Sequence, residues 1–133
     1  MSLKLLLDTH IRLWSLLDPK RLSRRVTTAL RSEPNELWLS PISTWELLIL
    51  VEKGCVVLEP QVDAWLDEAM TRAPMNEAPL THYIARESRR LDFVYQDPAD
   101  KFLAATARVL DFTLVTADQR LIGCRGVSTL ANR

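Results

Sequence analysis

Two short apolar segments each run directly into an aspartate. Leu3-Lys4-Leu5-Leu6-Leu7 precedes Asp8, and Thr113-Leu114-Val115-Thr116-Ala117 precedes Asp118. Neither segment alternates apolar with polar residues, so neither reads as a strand with one wet face. Both read as strands buried on two sides. A strand of that kind needs helices above and below its sheet, and the intervening sequence supplies helical stripes. This pattern narrows the fold to an α/β arrangement with a central parallel sheet flanked by helices on both faces.

The stripes can be read in order. Ile11, Leu13, Trp14 and Leu17 mark a short helix closed by Asp18-Pro19, and Ser23 is placed to cap a basic helix running to about Arg31. Leu37-Trp38-Leu39 is a second strand candidate, ended by Ser40-Pro41. Residues 43–53 form a helix that is apolar on nearly every side, with Gly54 at its C′ position, and residues 61–72 form a cleaner amphipathic one. Pro74 and Pro79 bracket a short irregular or extended piece. Further helices are expected over 81–91 and 97–110, then the Thr113 strand, a short helix near Gln119-Leu121 and an edge strand near Val127-Thr129. There is no repeat and no linker, so residues 1–133 are expected to form one domain.

Composition removes several functional classes. The 17 basic and 17 acidic residues cancel, which argues against bulk-charge coating of nucleic acid but permits a basic rim around an acidic pocket. No apolar run approaches the roughly 20 residues of a membrane span. Lys4 and Asp8 interrupt the first segment, so it lacks the apolar core of a secretory signal, and a cytoplasmic protein is expected. Cys55 and Cys124 have no CxxC partner and are expected to be reduced thiols. No GxGxxG, Walker loop or HExxH occurs.

The chemistry therefore rests on carboxylates. In an open parallel sheet, ligands bind beyond the carboxyl ends of the strands, where Asp8 and Asp118 stand. Glu46 and Asp100 each sit near the start of a predicted helix. Each also has a structural explanation. Ser43-Thr44-Trp45-Glu46 fits a capping box with Ser43 as N-cap, and Asp97-Pro98-Ala99-Asp100 fits a helix start with Asp97 as N-cap. An Asp after a strand can equally begin a turn. If all four converge, their repulsion calls for bound cations or raised pKa values.

Four blocks carry a resemblance. Leu5-Leu6-Leu7-Asp8-Thr9-His10-Ile11-Arg12-Leu13-Trp14 resembles the opening of PIN-domain ribonucleases, in particular VapC-type toxins of prokaryotic toxin–antitoxin systems. Ser40-Pro41-Ile42-Ser43-Thr44-Trp45-Glu46-Leu47 resembles their second block, residues 97–107 the third, and Leu114-Val115-Thr116-Ala117-Asp118 the fourth. The resemblance implies a single PIN-like domain with Asp8, Glu46, Asp100 and Asp118 as a metal-binding, catalytic quartet. Thr9, Ser43 and Thr116 match hydroxyl positions that contact a carboxylate, water or phosphate. It further implies a Mg²⁺- or Mn²⁺-dependent endoribonuclease, an RNA substrate, a cognate antitoxin protein and a homodimer.

Other features have plainer readings. Arg86, Arg89 and Arg90 would share one basic helix face, and Arg21, Arg24 and Arg25 a second; a solvated surface competes with RNA phosphate contact for both. Trp14, Trp45 and Trp65 fall on apolar stripes, so core or interface packing is expected before base stacking. Two alternatives remain beside the nuclease. One is a PIN-like module that binds RNA or protein without cutting. The other is a receiver-like signalling domain, which would need a late-strand Lys that the sequence does not offer.

Overall fold

The computed structural model describes residues 2–59, 61–91 and 97–133. Its sheet is built from β1 (Lys4–Leu7), β2 (Glu36–Leu39), β3 (Asn76–Glu77), β4 (Thr113–Thr116) and β5 (Thr129–Ala131), in spatial order β3-β2-β1-β4-β5. Every pairing is parallel, with Leu6 opposite Trp38 on one side and Leu114 on the other. The helices are α1 (Thr9–Leu17), α2 (Arg24–Arg31), α3 (Pro41–Glu52), α4 (Val62–Arg72), α5 (His82–Ser88), α6 (Pro98–Leu110) and α7 (Gln119–Ile122).

The apolar strands are buried on two faces, as their sequence requires. Leu6 and Leu114 pack with Ile84 of α5 and Leu103 of α6. Leu5, Leu7 and Val115 turn to the opposite side and meet Ile11 of α1 and Val26 of α2. Leu5, Leu6, Leu7, Leu114 and Val115 are all fully buried. Each contributes about 1.5–3 kcal/mol through removal of its side chain from water. A third cluster, Leu13, Leu47 and Leu58, with Trp65 and Leu66 packed against it, joins α1 to α3 and α4.

Several local features depart from the sequence expectations or sharpen them. Helix α3 starts at Pro41 with Ser40 as N-cap, its hydroxyl accepting from the Ile42 N–H at 3.1 Å. Pro41 thus opens the helix rather than merely ending the strand, because its fixed φ suits the first helical position. Helix α5 stops at Ser88, where the Arg89 N–H donates to the Arg86 carbonyl at 3.2 Å and the Arg90 N–H to the Glu87 carbonyl at 2.9 Å. Arg89 and Arg90 therefore leave the helical face, and Arg90 pairs with Glu87 at 2.6 Å. The extended piece between the prolines becomes β3, and the last strand lies at Thr129–Ala131, slightly later than expected. Trp45 is not core: half of its surface is exposed.

The capping expectations at Ser23 and Asp97 hold, with hydrogen bonds to the N–H groups of Val26 and Asp100. Gly54 follows the C-cap of α3 at φ 76°, a conformation costly for residues with a Cβ. Cys55 is exposed and Cys124 is buried, and no disulfide joins the two. Among the described residues no helix is long and apolar enough to cross a membrane.

Candidate functional site

The strand order fixes where a ligand crevice opens. From β1 the chain goes to β2 on one side, whereas β4 pairs with β1 on the other, so the β1/β4 boundary is the topological switch point. Leu7 pairs with Val115, which places the next residue, Asp8, beside Thr116. The Asp8 N–H reaches the Val115 carbonyl at 3.1 Å. Asp8 then caps α1 through Oδ1, which accepts from the Ile11 N–H at 3.0 Å, while Oδ2 accepts from the Thr116 hydroxyl. Asp118 caps the short α7 in the same way.

Glu46 comes from the second turn of α3. With Ser40 as the true N-cap, Glu46 is released from the capping-box role and accepts from the Thr9 hydroxyl instead. Asp97 and Asp100 bracket the first turn of α6, Asp97 Oδ1 accepting from the Asp100 N–H at 3.2 Å. All five carboxylates line one cavity of about 360 Å³, together with Thr9, His10, Trp14 and Arg120. The structure thus brings together Asp8, Glu46, Asp100 and Asp118.

Asp97 was expected only as a cap, but it also belongs to the tightest carboxylate group. One oxygen from each of Glu46, Asp97 and Asp100 lies within 4.8 Å of the others. An N-cap uses a single carboxylate oxygen, and N-cap and N3 side chains project the same way from a helix start, so one residue serves both purposes. The sequence signal for this was present in Asp-x-x-Asp, where the cap explanation masked it.

Arg120 was missed altogether. Its Nε and Nη2 lie 3.0 and 2.9 Å from the two Asp118 oxygens. Ser43 stands apart: its hydroxyl is buried without a hydrogen-bond partner and lines a neighbouring cavity. Trp14 lies at the rim, with Arg21 stacked 4.3 Å from its ring centroid and His10 5.7 Å away.

Charge at the site is poorly compensated. Asp100 is 9% exposed. Burial first, and then repulsion from Asp97, Asp118, Glu46 and Asp8, pushes its carboxyl up to about 7. Glu46 is raised by burial against the opposing Thr9 bond, and Asp8 is raised by burial against its bonds from Thr116 and Ile11. Asp118 alone is lowered, chiefly by the Arg120 bond.

Comparison with known proteins agrees with this architecture. A family model described as PIN domain matches residues 5–124. Ribonuclease VapC22 of Mycobacterium tuberculosis is 32% identical over 117 residues, spanning 87% of this chain and 88% of that protein. Among solved structures, the chain is similar to VapBC2 from Rickettsia felis bound to a promoter DNA fragment, with TM-score 0.74, 18% identity, and 97% and 98% of the two chains covered. It is also similar to DNA-bound VapBC from Salmonella typhimurium, with TM-score 0.68, 19% identity, and 98% and 99% covered. These structural likenesses concern the fold, whereas the sequence matches carry the kinship. Matched along most of its length, the chain belongs to the PIN domain family.

Proposed function

We propose that residues 1–133 form one nuclease domain, a metal-dependent endoribonuclease acting as the toxin of a type II toxin–antitoxin system. The observation that carries this reading is the convergence of five carboxylates on one cavity at the switch point of the sheet. The kinship to a ribonuclease supports RNA as the substrate. Likeness to toxin–antitoxin complexes supports a cognate antitoxin as partner. The half-exposed Trp45 on α3 supports a homodimer contact. The predicted location is the cytoplasm.

In this reading Asp8, Glu46, Asp100 and Asp118 hold Mg²⁺ or Mn²⁺, with Asp97 added by the geometry. The chemistry such a cation supplies when bound is Lewis-acid stabilisation of charge on a phosphodiester and acidification of the attacking water. The chain's own residues prepare for it. Thr116 fixes Asp8 across the β1–β4 pair, and Thr9 fixes Glu46, so two carboxylates are aimed before any ligand arrives. Arg120 restrains Asp118 and puts one positive charge beside the acids, where a substrate phosphate would approach. Burial and its acidic neighbours raise the Asp100 carboxyl to about 7, so it is only partly ionised near neutral pH, and a cation held beside it would favour the ionised form.

Incubation of the purified chain with varied RNAs and Mg²⁺ or Mn²⁺ tests this, beside Asp8→Asn and an EDTA control. Cleavage by the wild type, lost in both controls, is expected. Cleavage that persists in either control removes the carboxylate mechanism, and no cleavage of any RNA favours a non-cutting PIN module.

A further inference from the structure

A second cavity, of about 230 Å³, lies between α1, α3 and α4. Its walls include Leu13, Leu47, Trp65 and Leu66, yet two polar side chains are buried in them: Arg12, 7% exposed, and Ser43, 3% exposed. Arg12 Nη1 and Ser43 Oγ have no hydrogen-bond partner. The other Arg12 terminal nitrogen makes one long bond, 3.4 Å, to the Ala69 carbonyl. Asp67 also lines the cavity, but no ion pair joins it to Arg12 among the described residues.

Arg12 and Ser43 are an unusual pair of polar groups to bury in apolar walls without hydrogen-bond partners for Nη1 and Oγ. A guanidinium carries five N–H donors and stays charged in proteins, so burying it without an anion is costly. Burial pulls the Arg12 pKa down with no opposing carboxylate contribution. The planar fork is matched in geometry by a carboxylate, which can accept two parallel N–H bonds. The Ser43 hydroxyl offers a further donor, and the apolar walls suit hydrocarbon. At a water's share of roughly 30 Å³, the space holds a compact body rather than an extended chain.

We infer that the α1–α3–α4 cavity is a binding site for a carboxylate carried on a compact apolar body, with Arg12 and Ser43 gripping the carboxylate. It is independent of the nuclease reading, because among the described residues only Thr9 lines both this cavity and the acidic one. The same chemistry can come from a free aryl or alkyl monocarboxylic acid or from an acidic side chain beside an apolar one in a bound peptide.

The test is calorimetric titration of the full chain with 4-phenylbutyrate, with its uncharged amide, and with a blocked Leu-Glu-Phe peptide and its Leu-Gln-Phe counterpart. Binding by at least one of the two carboxylates is expected, and the tighter of them identifies the source. Replacement of the carboxylate by the amide, and Arg12→Met, should each weaken binding about tenfold or more, and Ser43→Ala about threefold. Arg12→Met exchanges a buried cation for a hydrocarbon chain of similar length, so its melting temperature should match or exceed that of the wild type. No binding by either carboxylate, equal binding by the amides, or undiminished binding to Arg12→Met would each overturn the assignment.

Discussion

The hydroxyl of Thr116 donates to the Asp8 carboxylate across the β1–β4 pair. The same oxygen accepts the Asp118 backbone N–H at 3.0 Å, so one fully buried side chain links the two strand-end aspartates. Thr116→Val keeps the shape and removes the donor, leaving Asp8 with a lost charge-assisted bond and the Asp118 N–H without its acceptor. A loss of roughly 1.5–3 kcal/mol in stability is expected by denaturant unfolding. Thr116→Ser should recover most of it. A stability for Thr116→Val equal to the wild type would mean that the bond does not form in solution.

The acidic cavity should make the cation-free protein less stable as pH rises. Asp100 is raised to about 7, mainly by burial and then by its acidic neighbours, and Asp8 and Glu46 are raised mainly by burial. A carboxyl raised by folding binds protons that the unfolded chain has released. Its stabilising effect is therefore full below the unfolded pKa of about 3.9 and is lost as pH climbs through about 7. Asp118 runs the opposite way, but its lowered value puts its effect on the acid side of that window. In EDTA the melting temperature should be higher at pH 5 than at pH 8, and Asp100→Asn should narrow the gap. Mn²⁺ should raise the melting temperature more at pH 8 than at pH 5, and scanning calorimetry distinguishes this from a pH-independent gain.

Asp97 offers a way to separate capping from cation binding. Asparagine is as good an N-cap as aspartate, so Asp97→Asn should preserve stability to within about 0.5 kcal/mol while removing one charge from the Glu46–Asp97–Asp100 group. Asp97→Ala should lose about 1 kcal/mol as well. Mn²⁺ affinity, followed by titration calorimetry, is expected to fall in both variants. Unchanged affinity in Asp97→Asn would return this residue to a purely capping role.

The true start of α3 can be tested with two serines. Ser40 accepts from the Ile42 N–H, whereas the Ser43 hydroxyl has no hydrogen-bond partner. Ser40→Ala is expected to cost about 0.5–2 kcal/mol, and Ser43→Ala about nothing or a slight gain. The reverse ranking in urea unfolding would restore the later helix start suggested by Ser43 and Glu46.

Much of the site was legible because its placement is local. Asp8 and Asp118 directly follow strands whose apolar runs identify them, and the parallel sheet puts such positions at one end. Asp100 was legible within an N-capped helix start. Glu46 was harder, since its apparent capping partner is three residues inside the helix and its actual partner, Thr9, is 37 residues away. Arg120 gave no signal because an arginine two residues after an aspartate is ordinary surface sequence until both face an acidic cavity.

The sequence by itself determined the layered α/β architecture and the end of the sheet at which its acids would gather. Those outcomes follow from backbone periodicity and from strands that need cover on both faces. Tertiary structure alone decided that Asp97 joins Glu46 and Asp100, that Asp118 and Arg120 together face the acidic cavity, and that Arg12 is buried with its Nη1 lacking a hydrogen-bond partner. Each depends on which helix ends meet across the switch point and between α1, α3 and α4. Such meetings set local dielectric and charge separation, which no run of neighbouring residues encodes.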